Sequence, residues 1–252
     1  MALKPVLEEV KEKFQALVAE HQMGEEPVKV TIGTLSTKQA IGSPVRQDFP
    51  LLEGKEVMIE AQFKGNFGQA FTDKPCDFTG SLKDILTLIL GINDNRAIFI
   101  ATLNAVMAHM GMVTGVRHCR NEEPEECAVQ IAQHILTNFG ETKVGLIGLQ
   151  PAILENLVKV FGADNVCCTD LNPKNVGSQK FGAEILNGRT ETKRLISWCG
   201  LLLATSSTIV NNTFDGIRAE AVSRGKRLIM FGVTGAGVSS LLGMERLCFQ
   251  AH

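Results

Sequence analysis

Lys143-Val144-Gly145-Leu146-Ile147-Gly148-Leu149-Gln150-Pro151, followed further on by Asp170-Leu171-Asn172-Pro173, decides the fold. The first stretch reads as a buried strand, a glycine turn and a helix opening on proline. A second strand follows and ends on an acidic residue. That is the first half of a nucleotide-binding type of α/β domain.

The rhythm continues towards the C-terminus. Val144–Ile147, Asn165–Cys168, Leu201–Ala204 and Leu228–Phe231 are short apolar runs without alternation, the pattern of strands buried on both faces of a parallel sheet. Ala183–Leu186 is expected as a short third strand. Between them lie helical stretches at Pro151–Phe161, Glu191–Trp198 and Asn212–Ser223, closed by Gly162, Gly200 and Gly225. Strands and helices alternating at this spacing predict a doubly wound sheet.

Towards the N-terminus the pattern is different. Residues 3–22 repeat apolar positions with a helical period, at Val6, Val10, Phe14, Leu17 and Val18. Val28–Thr34 alternates, with Val28, Val30 and Ile32 on one face, and reads as a strand. Gly42-Ser43-Pro44 reads as a break, Val57–Phe63 as a second strand, and Gly65-Asn66-Phe67-Gly68 as a turn. Ser81 is placed to cap a helix with Asp84 in its first turn and Leu82, Ile85, Leu86 and Ile89 on its core face. Asn93-Asp94 caps the next helix, which runs to about Met110 and ends at Gly111. Its apolar face carries a lone polar residue, Asn104. A short strand is expected over 112–117, then a helix with Pro124 and several glutamates in its first turn, stopping at Gly140. The expectation is a small α+β domain over 1–92 and a Rossmann-like α/β domain over 93–252.

With 252 residues, 44% hydrophobic and 21% charged, the chain can bury a core of this size. A net charge of −2 and a pI near 6.2 give no footprint for nucleic acid or a membrane surface. No apolar run approaches the roughly 20 residues of a membrane-spanning helix. The mixed-charge N-terminus reads as neither a signal nor a transit peptide, and seven irregularly spaced cysteines read as reduced thiols. The cytoplasm is the expected compartment.

Three strand ends carry the candidate site. A dinucleotide fingerprint needs Gly-x-Gly-x-x-Gly. Here Gly148 can turn, but Gln150 and Ile153 occupy the later glycine positions, so NAD is disfavoured. Pro151 suits the first turn of a helix whose free N–H groups could meet an anion. Asp170 lies 22 residues beyond Gly148, where an acidic residue would meet ribose hydroxyls, and Asn172 follows it. The bland alternative is a β–α turn with Asp170 capping a loop. Ala204-Thr205-Ser206-Ser207-Thr208-Ile209-Val210-Asn211-Asn212-Thr213 gathers hydroxyls and amides directly after a strand. One asparagine there is expected to cap the following helix, and the rest of the loop exceeds what a cap needs. Phe231 to Ser240, with Thr234 and three glycines, permits close backbone approach to a ligand or to another segment. Asn104 either braces the domain junction or points into a cleft, and Asp73 is a similar unknown.

His118, Cys119 and Cys127 are the candidate metal ligands, since soft and borderline ions take sulfur and nitrogen donors. Against them, adjacent His118 and Cys119 diverge in an extended segment. Cys127 and His134 are separated by about 10.5 Å along a helix. Buried apolar thiols are the alternative.

Arg96-Ala-Ile-Phe-Ile-Ala-Thr-Leu-Asn104-Ala105, Val144-Gly-Leu-Ile-Gly148 and Leu203-Ala-Thr205-Ser-Ser-Thr208-Ile-Val-Asn211-Asn-Thr213, in that order, resemble the "putative heavy-metal chelation" domain family. The resemblance implies an enolase-N-terminal-like domain followed by a Rossmann-like domain, with the site in the cleft between them. Asn104 and the Thr205–Asn211 loop would line that cleft.

The functional expectation is a small polar ligand, nucleotide-like or metal-chelator-like, held in the cleft by Asn104, Gly148, Gln150, Pro151, Asp170, Asn172, Thr205, Ser206, Ser207, Asn211 and Thr234. No catalytic residue is assigned. An enzyme of this design would be a transferase with an adenosyl-type cofactor sooner than a dehydrogenase. The alternatives are a metal-binding or metal-delivery protein using His118, Cys119 and Cys127, and a structural oligomeric module. The expected partner is a small molecule, with no nucleic acid and no membrane, and a homodimer is the assembly to test.

Overall fold

The structure is a computed structural model, and it describes residues 3–32, 42, 46, 48 and 56–252. The break expected at Gly42-Ser43-Pro44 therefore lies, Gly42 apart, outside the described residues. So do Gly33 and Thr34, the expected end of the first strand.

Four antiparallel strands make the first sheet, β1 (Pro27–Ile32), β2 (Val57–Phe63), β3 (Asn66–Thr72) and β4 (Phe78–Ser81), in the order β3-β2-β1-β4. The turn expected over 65–68 is shorter than read. Lys64 and Gly65 alone form it, both at positive φ (46° and 81°), and Asn66 pairs with Phe63. Two positive-φ residues match the twist of the flanking strands, so Asn66, Phe67 and Gly68 are free to enter β3. Val28 and Val30 are buried as expected, but Ile32 at the strand's end is exposed. Helix α1 (Val6–Glu20) lays Val6, Val10, Phe14 and Val18 on the core.

Helix α2 (Leu82–Thr87) starts as expected: the Asp84 N–H donates to Ser81 Oγ and the Ser81 N–H to Asp84 Oδ2. It ends before Ile89, which is 70% exposed and not on the core face. Helix α3 (Asn93–His109) begins at Asn93 without a side-chain cap; Asn93 instead accepts from Thr72 Oγ1. Every residue of α3 from Arg96 to Met107 is buried, so it is enclosed on all sides rather than amphipathic. Its long face lies on β3 and β2, and another meets α7 (Ser207–Val210) and α9 (Ala236–Leu242). Expected to lead the second domain, it is shared between the two units. Residues 112–117 form no strand; the Gln69 N–H donates to the Val116 carbonyl there.

The second sheet has seven strands in the order β11-β10-β9-β5-β6-β8-β7: β5 (Val144–Ile147), β6 (Val166–Asp170), β7 (Gln179–Lys180), β8 (Ala183–Asn187), β9 (Leu201–Thr205), β10 (Arg227–Phe231) and β11 (Arg246–Leu247). All pairs are parallel except β7 with β8. Helices α4 (Glu123–Phe139) and α5 (Pro151–Phe161) cover one face, and α6 (Thr192–Trp198) and α8 (Phe214–Ser223) the other. The chain runs outward from β5 to β8, then returns to β9 on the other side of β5. The switch of direction opens a crevice at the carboxyl ends of β5 and β9. This is the expected Rossmann-like doubly wound sheet behind a small α+β unit. Among the described residues no helix is long and apolar enough to cross a membrane.

Candidate functional site

A cleft of about 1420 Å³ opens over the switch point. One wall is the first unit's Glu56, Phe71, Thr72 and Asp73; the other is built from the loops after β5, β6, β9 and β10. At that size it exceeds the roughly 300–1,000 Å³ of ordinary ligand pockets, so a nucleoside-sized molecule would fill only part of it.

The loops are fixed by backbone bonds. The Gly148 N–H donates to the Thr169 carbonyl at 2.8 Å, and the Ser206 N–H to the Phe231 carbonyl at 2.8 Å. Gly148 sits at φ +86°, and a side chain there would run into the Thr205 methyl. Glycine at this position thus lets the β5 and β9 loops touch.

Gly148, Gln150, Pro151, Asp170, Asn172, Thr205, Ser206, Ser207 and Asn211 all line the cleft. Several are already employed. Asp170 accepts from the Leu149 N–H (2.9 Å), the Asn172 N–H (2.8 Å) and Asn175 Nδ2 (3.1 Å), which is the loop-capping alternative. Three of its roughly four acceptor directions are taken. Gln150 Oε1 accepts from the Ile153 N–H at 2.7 Å, and the Leu154 N–H donates to the Gln150 carbonyl. With Pro151 carrying no N–H, the anion-binding end of α5 is reduced to Ala152, so the expectation of an anion held there is corrected.

Asn211 and Asn212 behave differently from expectation. Neither caps the following helix: Thr213 precedes α8, Asn211 closes α7, and Asn212 sits at φ +60°. Asn211 Oδ1 is buried without a hydrogen-bond partner among the described residues. So is Thr169 Oγ1, on a residue only 1% exposed that also lines the cleft. Thr169 was missed from the sequence, although a hydroxyl ending an apolar strand was a usable signal.

Asn104 and Thr234 are corrections, since neither lines the cleft. Asn104 is fully buried; its Nδ2 donates to the carbonyls of Gln69 (2.9 Å), Thr234 (3.2 Å) and Val233 (3.3 Å), and its Oδ1 accepts from the Gly237 N–H (2.7 Å). It braces β3, the β10–α9 loop and α9 to one another. Thr234 Oγ1 accepts from the Phe71 N–H at 3.1 Å. The glycines of that loop serve neighbouring segments: a Cβ on Gly235 would lie 2.7 Å from Ser206 Cβ, and one on Gly237 2.9 Å from Leu103 Cγ.

The metal expectation is also corrected. His118, Cys119 and Cys127 all border the cleft, yet no group of three or more His, Cys, Asp or Glu side chains among the described residues can hold an ion. Nδ1 of His118 is turned to the Cys119 carbonyl at 2.6 Å, and burial pushes the imidazole below its usual range. Burial pushes the Cys119 thiol up to about 12, with Cys127 and Glu123 adding to the rise.

One carboxyl missed from the sequence stands out. Burial first, and then the charges of Asp170 and Asp73, together lift the Glu56 carboxyl to about 7. The three acids come from both walls. Nothing in the residues around Glu56 marks it, since its neighbours across the cleft are distant in the chain.

The class defined is a Rossmann-like sheet joined to a small antiparallel unit, with a cleft between them. Residues 131–242 match the family model DUF364, described as "Putative heavy-metal chelation". The chain is similar to a solved DUF364 protein of unknown function from Pyrococcus horikoshii, at 17% identity over 91% of this chain and 80% of that one, with a TM-score of 0.54. A second, from Desulfitobacterium hafniense DCB-2 and also of unknown function, aligns at 12% identity over 79% and 78%, with a TM-score of 0.48. No curated protein matches.

Proposed function

We propose that the cleft binds a small, polar, largely uncharged molecule, nucleoside-like or chelator-like, and that any part in heavy-metal chelation runs through a chelator held there. The observation that carries this reading is the pair of unpartnered buried groups in the cleft wall, Thr169 Oγ1 and Asn211 Oδ1. An unsatisfied buried polar group costs about 1–3 kcal/mol, and a ligand supplying the missing partner recovers it. Asn211 Oδ1 calls for a donor, and Thr169 takes either sense. Ser206 and Ser207 add hydroxyls beside them. Sugar hydroxyls, exocyclic amines and hydroxamate or catechol groups all meet that demand, whereas a pyrophosphate meets neither glycines nor a free helix end.

The test is a thermal-shift panel of adenosine, S-adenosylmethionine, NAD and hydroxamate and catecholate metal chelates. A ligand at a hundred times its Kd adds about 2.7 kcal/mol. That corresponds to a rise on the order of 5–10 °C for a chain of this size. Asn211→Ala should abolish the rise, and Asn211→Asp should keep much of it. If no nucleoside or chelate moves the transition, the reading fails.

A further inference from the structure

Arg96 carries a buried charge with no opposite charge in contact. The residue is 5% exposed, lies one turn into α3 and lines the cleft. Helical side chains lean towards the helix N-terminus, which brings the guanidinium back to the start of α3. There Nε donates to the Val210 carbonyl at 2.6 Å and Nη1 to the Leu90 carbonyl at 2.9 Å. Both acceptors are neutral. No carboxylate among the described residues comes within ion-pair distance; Asp73 and Asp94 act on the guanidinium from further off. Nη2 meets no protein acceptor and is not sealed from solvent, so that arm of the fork opens on the cleft. A charge buried this far ordinarily has a partner.

The same end of α3 leaves backbone donors open. Its N-cap, Ile92, supplies no side-chain acceptor. The Asn95 N–H is taken by Asp94 Oδ1 (3.0 Å) and the Arg96 N–H by the Ile92 carbonyl (3.1 Å). The N–H groups of Asn93 and Asp94 have no acceptor among the described residues. The Asn93 amide cannot fold back to help, since it accepts from Thr72 Oγ1 (2.9 Å) and donates to the Val210 carbonyl (3.4 Å). Gly91, Ile92 and Asn93 border the cleft, so the positive end of a 17-residue helix faces it beside the open guanidinium.

We propose that this corner, Arg96 with the uncapped start of α3, is a carboxylate seat, and that the ligand of the cleft carries one carboxylate on an otherwise uncharged body. The seat rests on the ligand reading above only for the rest of that molecule. A planar pair of oxygens suits the open arm of a guanidinium and adjacent N–H donors. Asp73 borders the same wall and opposes a second negative charge. The seat also lies on the wall opposite the β5 turn, where a pyrophosphate would sit.

The test titrates the isotope-labelled full chain near neutral pH with sodium acetate, acetamide and inorganic phosphate, each at constant ionic strength, and follows backbone amide signals by NMR. Acetate should move Asn93 and Asp94 saturably. Acetamide, with the same shape and no charge, should not, and phosphate should bind more weakly than acetate. Arg96→Gln should weaken acetate by about tenfold or more, and Arg96→Lys should weaken it less. The parent titration decides even if a variant fails to fold. Shifts that never saturate, or that acetamide reproduces, overturn the seat; phosphate binding tighter than acetate overturns the carboxylate. Saturation by acetate with no response to any nucleoside or chelate would uphold the seat and sink the ligand reading instead.

Discussion

Asn104 shows what one side chain can decide. It lies within a helix buried on all sides, and its amide meets three carbonyls and one N–H from β3, the β10–α9 loop and α9. Asn104→Ala would strand that N–H and loosen the carbonyls at a place water does not reach, at about 1–3 kcal/mol for each unsatisfied group. We expect a loss on the order of 3 kcal/mol or more in urea unfolding; a variant as stable as the parent would show that the brace is incidental. Asn104→Asp should be no milder, since it keeps the acceptor but sets a carboxylate against three carbonyls. That Asn104 needed partners was legible, because a polar group on an apolar face must find them. Which partners it found was not, because Gln69 and Gly237 are brought to it only by the whole fold. The same holds in the cleft. Asp170, Gln150 and Asn211 were legible as polar groups at strand ends, but the first two are consumed by neighbouring N–H groups while Asn211 is left open, a difference no spacing encodes.

At the level of elements, the strands buried on both faces announced themselves. Val144–Ile147 matches the expected bounds, as does helix α5 from Pro151 to Phe161, because continuous apolar runs and flanking glycines leave few alternatives. The antiparallel unit was harder. Gly65-Asn66-Phe67-Gly68 carries turn residues throughout, yet Gly68 belongs to β3 for another reason: a Cβ there would collide with the Ala105 nitrogen and the Ala101 carbonyl oxygen of α3. The glycine lets sheet and helix backbones meet. Gly68→Ala should therefore cost about 1–3 kcal/mol or more as an overpacked contact. Gly216 makes the contrast, a glycine inside α8 with nothing within 4 Å of an added Cβ. Gly216→Ala should stabilise by about 0.5–1 kcal/mol through helix propensity. Denaturation midpoints of the two variants moving in the same direction would contradict this account of Gly68.

Across the whole molecule, the two units face each other through charge. Glu56 on one wall sees Asp170 on the other and Asp73 beside it, and burial together with those two charges sets its carboxyl near 7 against an ordinary 4.5. The sign follows from which state holds the proton. Between those values the folded chain keeps a proton that the unfolded chain has released, so stability falls as pH rises. The contribution is fully present below about 4.5 and is lost as pH rises through about 7. At about 1.4 kcal/mol per pKa unit, with relaxation of the cleft discounted, the loss is on the order of 1–3 kcal/mol. Glu56→Gln keeps a neutral side chain of the same shape, so it should match the parent near pH 4 and exceed it at pH 8. Unfolding in urea across that range reads the difference directly. Parallel pH profiles for the two proteins would mean that Glu56 titrates alike in the folded and unfolded chains, and that the walls of the cleft do not repel. If the profiles diverge as expected, a ligand donating hydrogen bonds to this acidic side of the cleft should bind more tightly above pH 7. Binding tightest at low pH would instead mean that the ligand needs the Glu56 proton.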